Sequence, residues 1–249
     1  MINKTAFLIT ARLKSSRLPK KALKDICGLP MIVHTALRAS MSKSLSEVFV
    51  ATDNQKIKSV VESFGIKVIM TSKDHKNSSE RAAEACKQIN AEIIVNIQGD
   101  EPLLYPEHID IITKPILNDE NIQVCLGITK FNKENSPSDL KAVVDLNGNL
   151  LYSSRNDIPH YYLKDQSFLW KLCFIVPHKK GILQKYLEWD PSPLELIEDN
   201  HFLRLLENGI QIKTFEVEEA KISVDTQEDL EEVRRLMQKD RILRSYLNG

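Results

Sequence analysis

Between Arg12 and Lys24 the chain carries six basic residues (Arg12, Lys14, Arg17, Lys20, Lys21 and Lys24), and no acidic residue intervenes before Asp25. Across the whole sequence 34 Lys and Arg are balanced by 34 Asp and Glu, so this is a local concentration of charge and not a basic protein. No glycine precedes Gly28, so neither glycine-rich phosphate loop, G-x-G-x-x-G or G-x-x-x-x-G-K-[ST], is present. Phosphate would have to be held by side chains, chiefly Arg12, Arg17 and Lys21. Arg offers two parallel donors and Lys a movable point charge, a combination suited to a triphosphate whose bonds shift during reaction. A solvated lysine-rich loop has the same composition, and charge alone leaves both readings open.

Two carboxylates complement these cations. Asp100 closes the run EIIVNIQGD, where the carboxyl end of a strand would present it to the same crevice as the basic loop. Asp225, in ISVDTQEDL, is read as following another strand. Hard carboxylate oxygens suit Mg2+, which keeps several waters and takes one or two protein carboxylates plus substrate phosphate. Each has a structural alternative: Asp225 stands three residues before Glu228, an N-cap arrangement, and Asp100 before Glu101-Pro102 suits a turn.

The elements that must position these residues read as a βαβ series. Short apolar runs, AFLIT (6–10), VFVATD (48–53), KVIM (67–70) and EIIVNIQ (92–98), alternate with the helical patterns PMIVHTALRAS, QKIKSVVESFG and SERAAEACKQI. A mostly parallel sheet follows, with the basic loop between the first strand and a helix from about Pro30. Beyond about residue 120, VCLGITKF, then KAVVDL and LLYSSR around the turn signal Asn147-Gly148, point to antiparallel pairing. Ser192-Pro193-Leu194-Glu195 is a capping box opening a helix that Gly209 closes, and a charged terminal helix starts at Thr226. In DHKNSSER, Ser78 or Ser79 is expected to cap the helix that Glu80 and Arg81 begin.

A length of 249 residues with 42% hydrophobic content supports one domain with a substantial core, 1–249, divided into a first part to about 120, an elaborated part of about 121–220 and a terminal helix of about 226–247. Balanced charge argues against nucleic acid and anionic membrane as partners. Cysteines 27, 86, 125 and 173 have no metal-ligand spacing and read as buried free thiols, and no apolar run approaches 18 residues, so a cytoplasmic setting is expected. None of the six histidines has metal-ligand spacing.

Read together, ARLKSSRLPKKAL, DICGLPMIVH, ATD, DHKNSSER, NIQGDEP, WDPSPLELIE and VDTQEDLE resemble the CMP-Kdo synthetases, the 3-deoxy-manno-octulosonate cytidylyltransferases, in that family's order over nearly the whole chain. The resemblance implies a Rossmann-like nucleotidyltransferase fold of the α/β class: a mixed, mostly parallel sheet flanked by helices, with an antiparallel dimerisation excursion in the second half. It implies transfer of CMP from CTP to a 3-deoxy sugar acid with release of pyrophosphate, Mg2+ as cofactor, a homodimer, and a place in lipopolysaccharide or capsule synthesis.

Residue by residue, the resemblance assigns the basic loop as a triphosphate clamp, A-R-x-x-S-[ST]-R-L-P-x-K, through Ala11, Arg12, Ser16, Arg17 and Lys21, with Lys20 where the family has glycine. It places the cytosine against the segment of Asn77, Ser78 and Arg81, where Asn77-Ser78-Ser79-Glu80-Arg81 stands for the family's S-G-T-E-R, and counts Gln98 among the residues that bind CTP. Lys21, Arg12 and Asp100 become the catalytic residues, and Asp100 and Asp225 the metal ligands. On the acceptor side Arg155 and Glu195 match residues beside the sugar acid, although Glu195 reads equally well as part of its capping box. The family's H-x-G-x-Y strand is replaced by LWKLCFIVPH, with Lys171, Cys173 and Ile175 at the matching positions. The expected acceptor is therefore Kdo or a modified Kdo such as an 8-amino form. The alternatives are an acylneuraminate-type enzyme acting on a nine-carbon acid and a catalytically lapsed nucleotide-binding relative.

Overall fold

A computed structural model describes residues 3–13, 15, 17–44, 46–163 and 167–247. The first half runs β1 (Asn3–Ala11), a 3-10 turn (Lys21–Leu23), β2 (Asp25–Ile26), β3 (Leu29–Pro30), α1 (Met31–Ala39), β4 (Val48–Thr52), α2 (Gln55–Ser63), β5 (Lys67–Met70), α3 (Ser78–Ala85), β6 (Ala91–Gln98) and α4 (Pro106–Asn118). The second half adds β7 (Val124–Phe131), β8 (Lys141–Val144), β9 (Leu150–Ser154), β10 (Leu169–Cys173), β11 (Ile175–Lys179), α5 (Lys180–Lys185), α6 (Pro193–Glu198), α7 (Phe202–Glu207), β12 (Ile212–Glu216), α8 (Gln227–Met237) and α9 (Arg241–Leu247).

One sheet joins both halves in the order β5-β4-β1-β6-β11-β7-β10-β8-β9, with β12 beside β7. β5, β4, β1 and β6 are parallel, and the central pair, β1 and β6, is buried on both faces along most of its length. β11 joins β6 antiparallel, and the β8–β9 hairpin turns at Gly148, with φ +76°. Alternation along β1 sends Phe7 and Ile9 to the α1, α2 and α4 side, and Ala6 and Leu8 to the α3, α5 and α7 side. Each fully buried aliphatic or aromatic side chain contributes roughly 1.5–3 kcal/mol to this sandwich. A third apolar cluster, under α8 and α9, joins Leu18, Ile26, Met31, Leu103 and Val224 to Leu230, Val233, Met237 and Leu243.

Several sequence expectations are corrected. The helix opened at Pro193 does not reach Gly209: Asp199 takes the left-handed conformation, φ +47°, and divides the segment into α6 and α7. The terminal helix likewise breaks into α8 and α9. LWKLCFIVPH is two strands, divided at Phe174, that pair with different neighbours. The stretch before Asp225 is no strand, since β12 ends at Glu216. Asn77, not Ser78 or Ser79, caps α3, because its amide oxygen reaches the Glu80 N–H at 2.9 Å. Cys86, Cys125 and Cys173 are buried free thiols as expected, whereas Cys27, in the β2–β3 turn, is only half-buried.

Candidate active site

The site is built where β1 and β6 end side by side. Gly99 N–H donates to Thr10 O at 3.1 Å, and a Cβ at Gly99 would come within 2.6 Å of Ile32 Cδ1 and 2.9 Å of that same oxygen. Only glycine permits this approach, which brings the next residue, Asp100, to the end of β1. The Val224 N–H then donates to Asp100 O at 3.0 Å, setting Asp225 beside Asp100.

Lys21 Nζ lies 2.6 Å from Asp100 Oδ2 and 3.0 Å from Asp225 Oδ1, and Arg17 Nη2 shares the latter oxygen at 3.0 Å. Burial alone would lower the Lys21 pKa, but the two carboxylates outweigh it and hold the ammonium above its ordinary value. Lys21 therefore keeps its charge throughout the neutral range. Its side chain is 16% exposed and that of Arg17 53%, so the first is a fixed cation and the second a reachable one. Arg12 is exposed and near enough for its charge to be felt at Arg81. Ala11 and Gln98 end β1 and β6, while Ser16 lies outside the described residues.

Asp225 does not cap α8. Thr226 does, accepting from the Asp229 N–H at 3.1 Å while the Asp229 carboxylate accepts from the Thr226 N–H at 2.8 Å. The Asp225 side chain is thereby left to the cations. Asp100 Oδ1 is buried without a hydrogen-bond partner among the described residues, the state of an oxygen reserved for another ligand. No cluster of three or more His, Cys, Asp or Glu placed to hold a metal occurs among the described residues. A pair of carboxylates with an uncommitted oxygen fits Mg2+ completing its shell with water and substrate phosphate.

At α3 the Ser78 and Ser79 hydroxyls are buried and unpartnered among the described residues. Arg81 Nη1 donates to Thr71 Oγ1 at 2.5 Å and to Ser72 O at 3.3 Å, with Asp53 at 3.8 Å from Nη2. Asn77 Nδ2 donates to Glu195 Oε1 at 3.2 Å, and Arg204 joins Glu195 (2.5 Å) to Glu80 (2.9 Å). Half of the expected capping box is made: the Ser192 N–H donates to Glu195 Oε2 at 3.3 Å while Ser192 Oγ has no partner among the described residues, so Glu195 has both a helix-capping and an ion-pairing role.

Lys171 on β10 pairs with Asp139 Oδ1 at 2.5 Å and lines a cavity of about 30 Å³ with Glu101, Tyr105, His108, Cys173 and Ser223. Burial would push the Asp139 carboxyl up, but Lys171 and the Ser136 hydroxyl hold it below the usual carboxylate range. Burial and the neighbouring Asp100 push Glu101 up to about 8. Arg155 is held by three carbonyls and a carboxylate: Nε donates to Glu198 O (3.0 Å), Nη1 to Pro137 O (2.9 Å) and Nη2 to Asp199 O (2.9 Å) and Asp199 Oδ2 (3.1 Å).

A family model described as Cytidylyltransferase matches residues 6–246. The chain belongs to the cytidylyltransferase family. Among the relatives of this cytidylyltransferase, the 3-deoxy-manno-octulosonate cytidylyltransferase of Geobacter sulfurreducens is 41% identical over 91% of this chain and 96% of its own length. The enzyme of the same name from Neisseria gonorrhoeae is 40% identical over 93% and 97%. The solved structure of a CMP:2-keto-3-deoxy-manno-octonic acid synthetase complexed with CTP is 36% identical, with a TM-score of 0.90 over 95% of this chain and 99% of that one.

Four residues that line the cavity beside Lys171 or bond the expected site residues escaped sequence reasoning: Glu101 in the cavity, Asp139 on Lys171, Lys141 on Arg155 O and Arg204 on Glu195. Lys141 is fully buried at the start of β8, donating to Ser136 O (2.7 Å), Asp139 O (2.8 Å) and Arg155 O, and so fixes the loop that presents Asp139. The available signals were a lysine opening the apolar run KAVV and an arginine inside FLRLLE, positions where a charge must find a partner.

Proposed function

We propose that this cytidylyltransferase couples CTP to a 3-deoxy-ulosonic acid, Kdo or a modified Kdo such as an 8-amino form, giving the CMP-sugar and pyrophosphate. The reading extends to a Mg2+ cofactor held by Asp100 and Asp225, a cytoplasmic homodimer, and supply of lipopolysaccharide or capsule synthesis. The observation that carries it is Lys21 seated between Asp100 and Asp225 at 2.6 and 3.0 Å.

In this reaction the sugar's anomeric hydroxyl attacks the α-phosphorus, the bond to the β-phosphate oxygen breaks, and pyrophosphate leaves with the electron pair as the hydroxyl proton is lost. Negative charge grows on the α-phosphate oxygens and on the leaving group, so fixed cations lower the barrier. Lys21 supplies a preorganised charge, and Arg12 and Arg17 reach the phosphates from the exposed side of the loop. Bound Mg2+ would neutralise phosphate charge and fix the triphosphate. Ser78, Ser79 and Asn77 offer hydrogen-bonding groups to the base, and Arg155, Lys171 and Glu195 are assigned to the acceptor. Support for a homodimer comes from exposed Leu151 of β9 and Leu196 and Ile197 of α6, on elements tied together by Ser154 and Glu198 at 2.8 Å.

Replacing His, Gly and Tyr by Lys171, Cys173 and Ile175 changes charge, bulk and hydrogen bonding on one wall of the cleft. Sites that hydrogen-bond a particular substrate group reject analogues lacking it, so an acceptor with an altered tail is used better than Kdo itself. Pyrophosphate release with CTP, Mg2+ and a panel of Kdo, its 8-amino analogue and N-acetylneuraminate tests both levels. Release with none of them overturns the reaction, and a clear preference for unmodified Kdo overturns the altered pocket.

A further inference from the structure

One turn apart on α1, His34 and Arg38 are both fully buried. His34 Nε2 is 2.6 Å from Ile26 O and Nδ1 is 2.7 Å from Tyr246 Oη. A carbonyl only accepts, so Nε2 carries the proton and Nδ1 accepts from the tyrosine hydroxyl. Burial lowers the His34 pKa and keeps the ring in this neutral form. Arg38 donates through Nη1 to Leu104 O at 3.2 Å and through Nη2 to Asp240 Oδ2 at 2.5 Å, with its guanidinium 5.9 Å from the Tyr246 ring centroid.

The two carbonyls reached in this way belong to catalytic segments. Ile26 lies in β2, immediately beyond the turn that carries Lys21, and Leu104 follows Asp100 in its loop. Arg234 of α8 adds two bonds to Asp25 O, at 2.7 and 3.0 Å. The apolar cluster repeats the pattern: Leu18, Leu103 and Val224, neighbours of Lys21, Asp100 and Asp225, pack into the core that α8 and α9 build.

We propose that α9, with Asp240 immediately before it, is a positioning element of the active site: Tyr246 and Asp240, acting through His34 and Arg38, hold the Lys21 turn and the Asp100 loop at the spacing that lets Lys21 meet both carboxylates. The inference rests on the catalytic roles given above to Lys21, Asp100 and Asp225. Misplacing a catalytic group by a fraction of an ångström costs turnover more than binding.

Tyr246→Phe removes the hydroxyl and keeps the ring. Asp240→Asn weakens the other arm and serves if the first variant does not fold. Leu183→Ala on α5 is the control, because it lowers stability through lost packing in a different core cluster, touching neither the polar bracket nor the cluster under α8 and α9. Two measurements are made on the full chain. In amide hydrogen exchange without substrate, residues 18–26 and 99–104 exchange about tenfold faster in Tyr246→Phe than in Leu183→Ala, the two being matched in melting temperature by solution conditions. In pyrophosphate release, kcat falls roughly tenfold in Tyr246→Phe, with KM for CTP within about twofold, while Leu183→Ala retains its kcat well below its melting temperature. Equal exchange in the two variants, or equal loss of kcat, overturns the proposal. A wild-type enzyme that releases no pyrophosphate counts against the proposed reaction, and the exchange measurement still decides the role of α9.

Discussion

In the role proposed for it, Lys21 meets charge that develops late, so Lys21→Ala is expected to lower kcat by about a hundredfold or more while KM for CTP changes far less, as steady-state kinetics would show. Its neighbour Lys20 has a different part: at φ +56° and ψ +31° it sits in the left-handed region, where a side chain costs about 1 kcal/mol. Lys20→Gly is therefore expected to raise stability by about 0.5 kcal/mol in urea unfolding, with turnover kept; a loss of activity equal to that of Lys21→Ala would mean that the loop works only as a diffuse positive field. Lys21 and Asp100 were legible as candidates because a basic loop and a carboxylate closing a strand are conspicuous where α/β sheets bind ligands; Asp225 was singled out on a strand that does not form, and it reaches the pair through the Val224 N–H bond to Asp100 O. Their pairing was not, since Lys21 and Asp225 are 204 residues apart and nothing local encodes the contact. Lys171 was singled out by resemblance, but its partner Asp139 lies in a loop with no motif of its own.

At the scale of elements, the distinction between holding a helix and holding a cation separates adjacent residues. Thr226→Ala removes the α8 cap and is expected to cost about 1 kcal/mol, read as a lower urea midpoint, with activity preserved at low temperature. Asp225→Ala should leave that midpoint nearly unchanged and abolish most turnover; the reverse pattern would return Asp225 to the capping role. The parallel strands were legible because their apolar runs are bounded by helical periodicity, and the β8–β9 hairpin because Asn147-Gly148 suits its turn. The division of α6 from α7 was not: Asp199 adopts a left-handed conformation within a segment whose apolar spacing runs on to Gly209. The small β2–β3 hairpin was likewise hidden, two residues per strand being too short for any period.

At the scale of the whole molecule, stability and catalysis draw on different parts of the sheet. His178 of β11 is fully buried, and neither ring nitrogen has a partner among the described residues. Burial, assisted by His201, lowers its pKa to about 3. Between that value and 6.5 the unfolded chain binds a proton that the folded one does not, so this group makes stability fall as the pH drops below 6.5. His178→Leu, which also removes an unsatisfied polar group worth about 1–3 kcal/mol, should be more stable than the wild type at pH near 7.5, and by a wider margin near 5.5, in urea unfolding. A margin that does not widen would mean that His178 is protonated or partnered in the folded protein.

The candidate active site makes the opposite demand, keeping an uncommitted oxygen on Asp100 and two carboxylates around one ammonium. Its central claim is that Asp100 holds the metal that the transfer requires. The most direct test is a Mg2+ titration of pyrophosphate release, with CTP and Kdo or its 8-amino analogue, in the wild type and in Asp100→Asn. The account predicts no turnover in either protein after chelation, saturable activation of the wild type, and in Asp100→Asn a maximal rate about a hundredfold lower with a higher Mg2+ requirement. Wild-type rates that survive chelation, or an Asp100→Asn enzyme that titrates and turns over like the wild type, would contradict it.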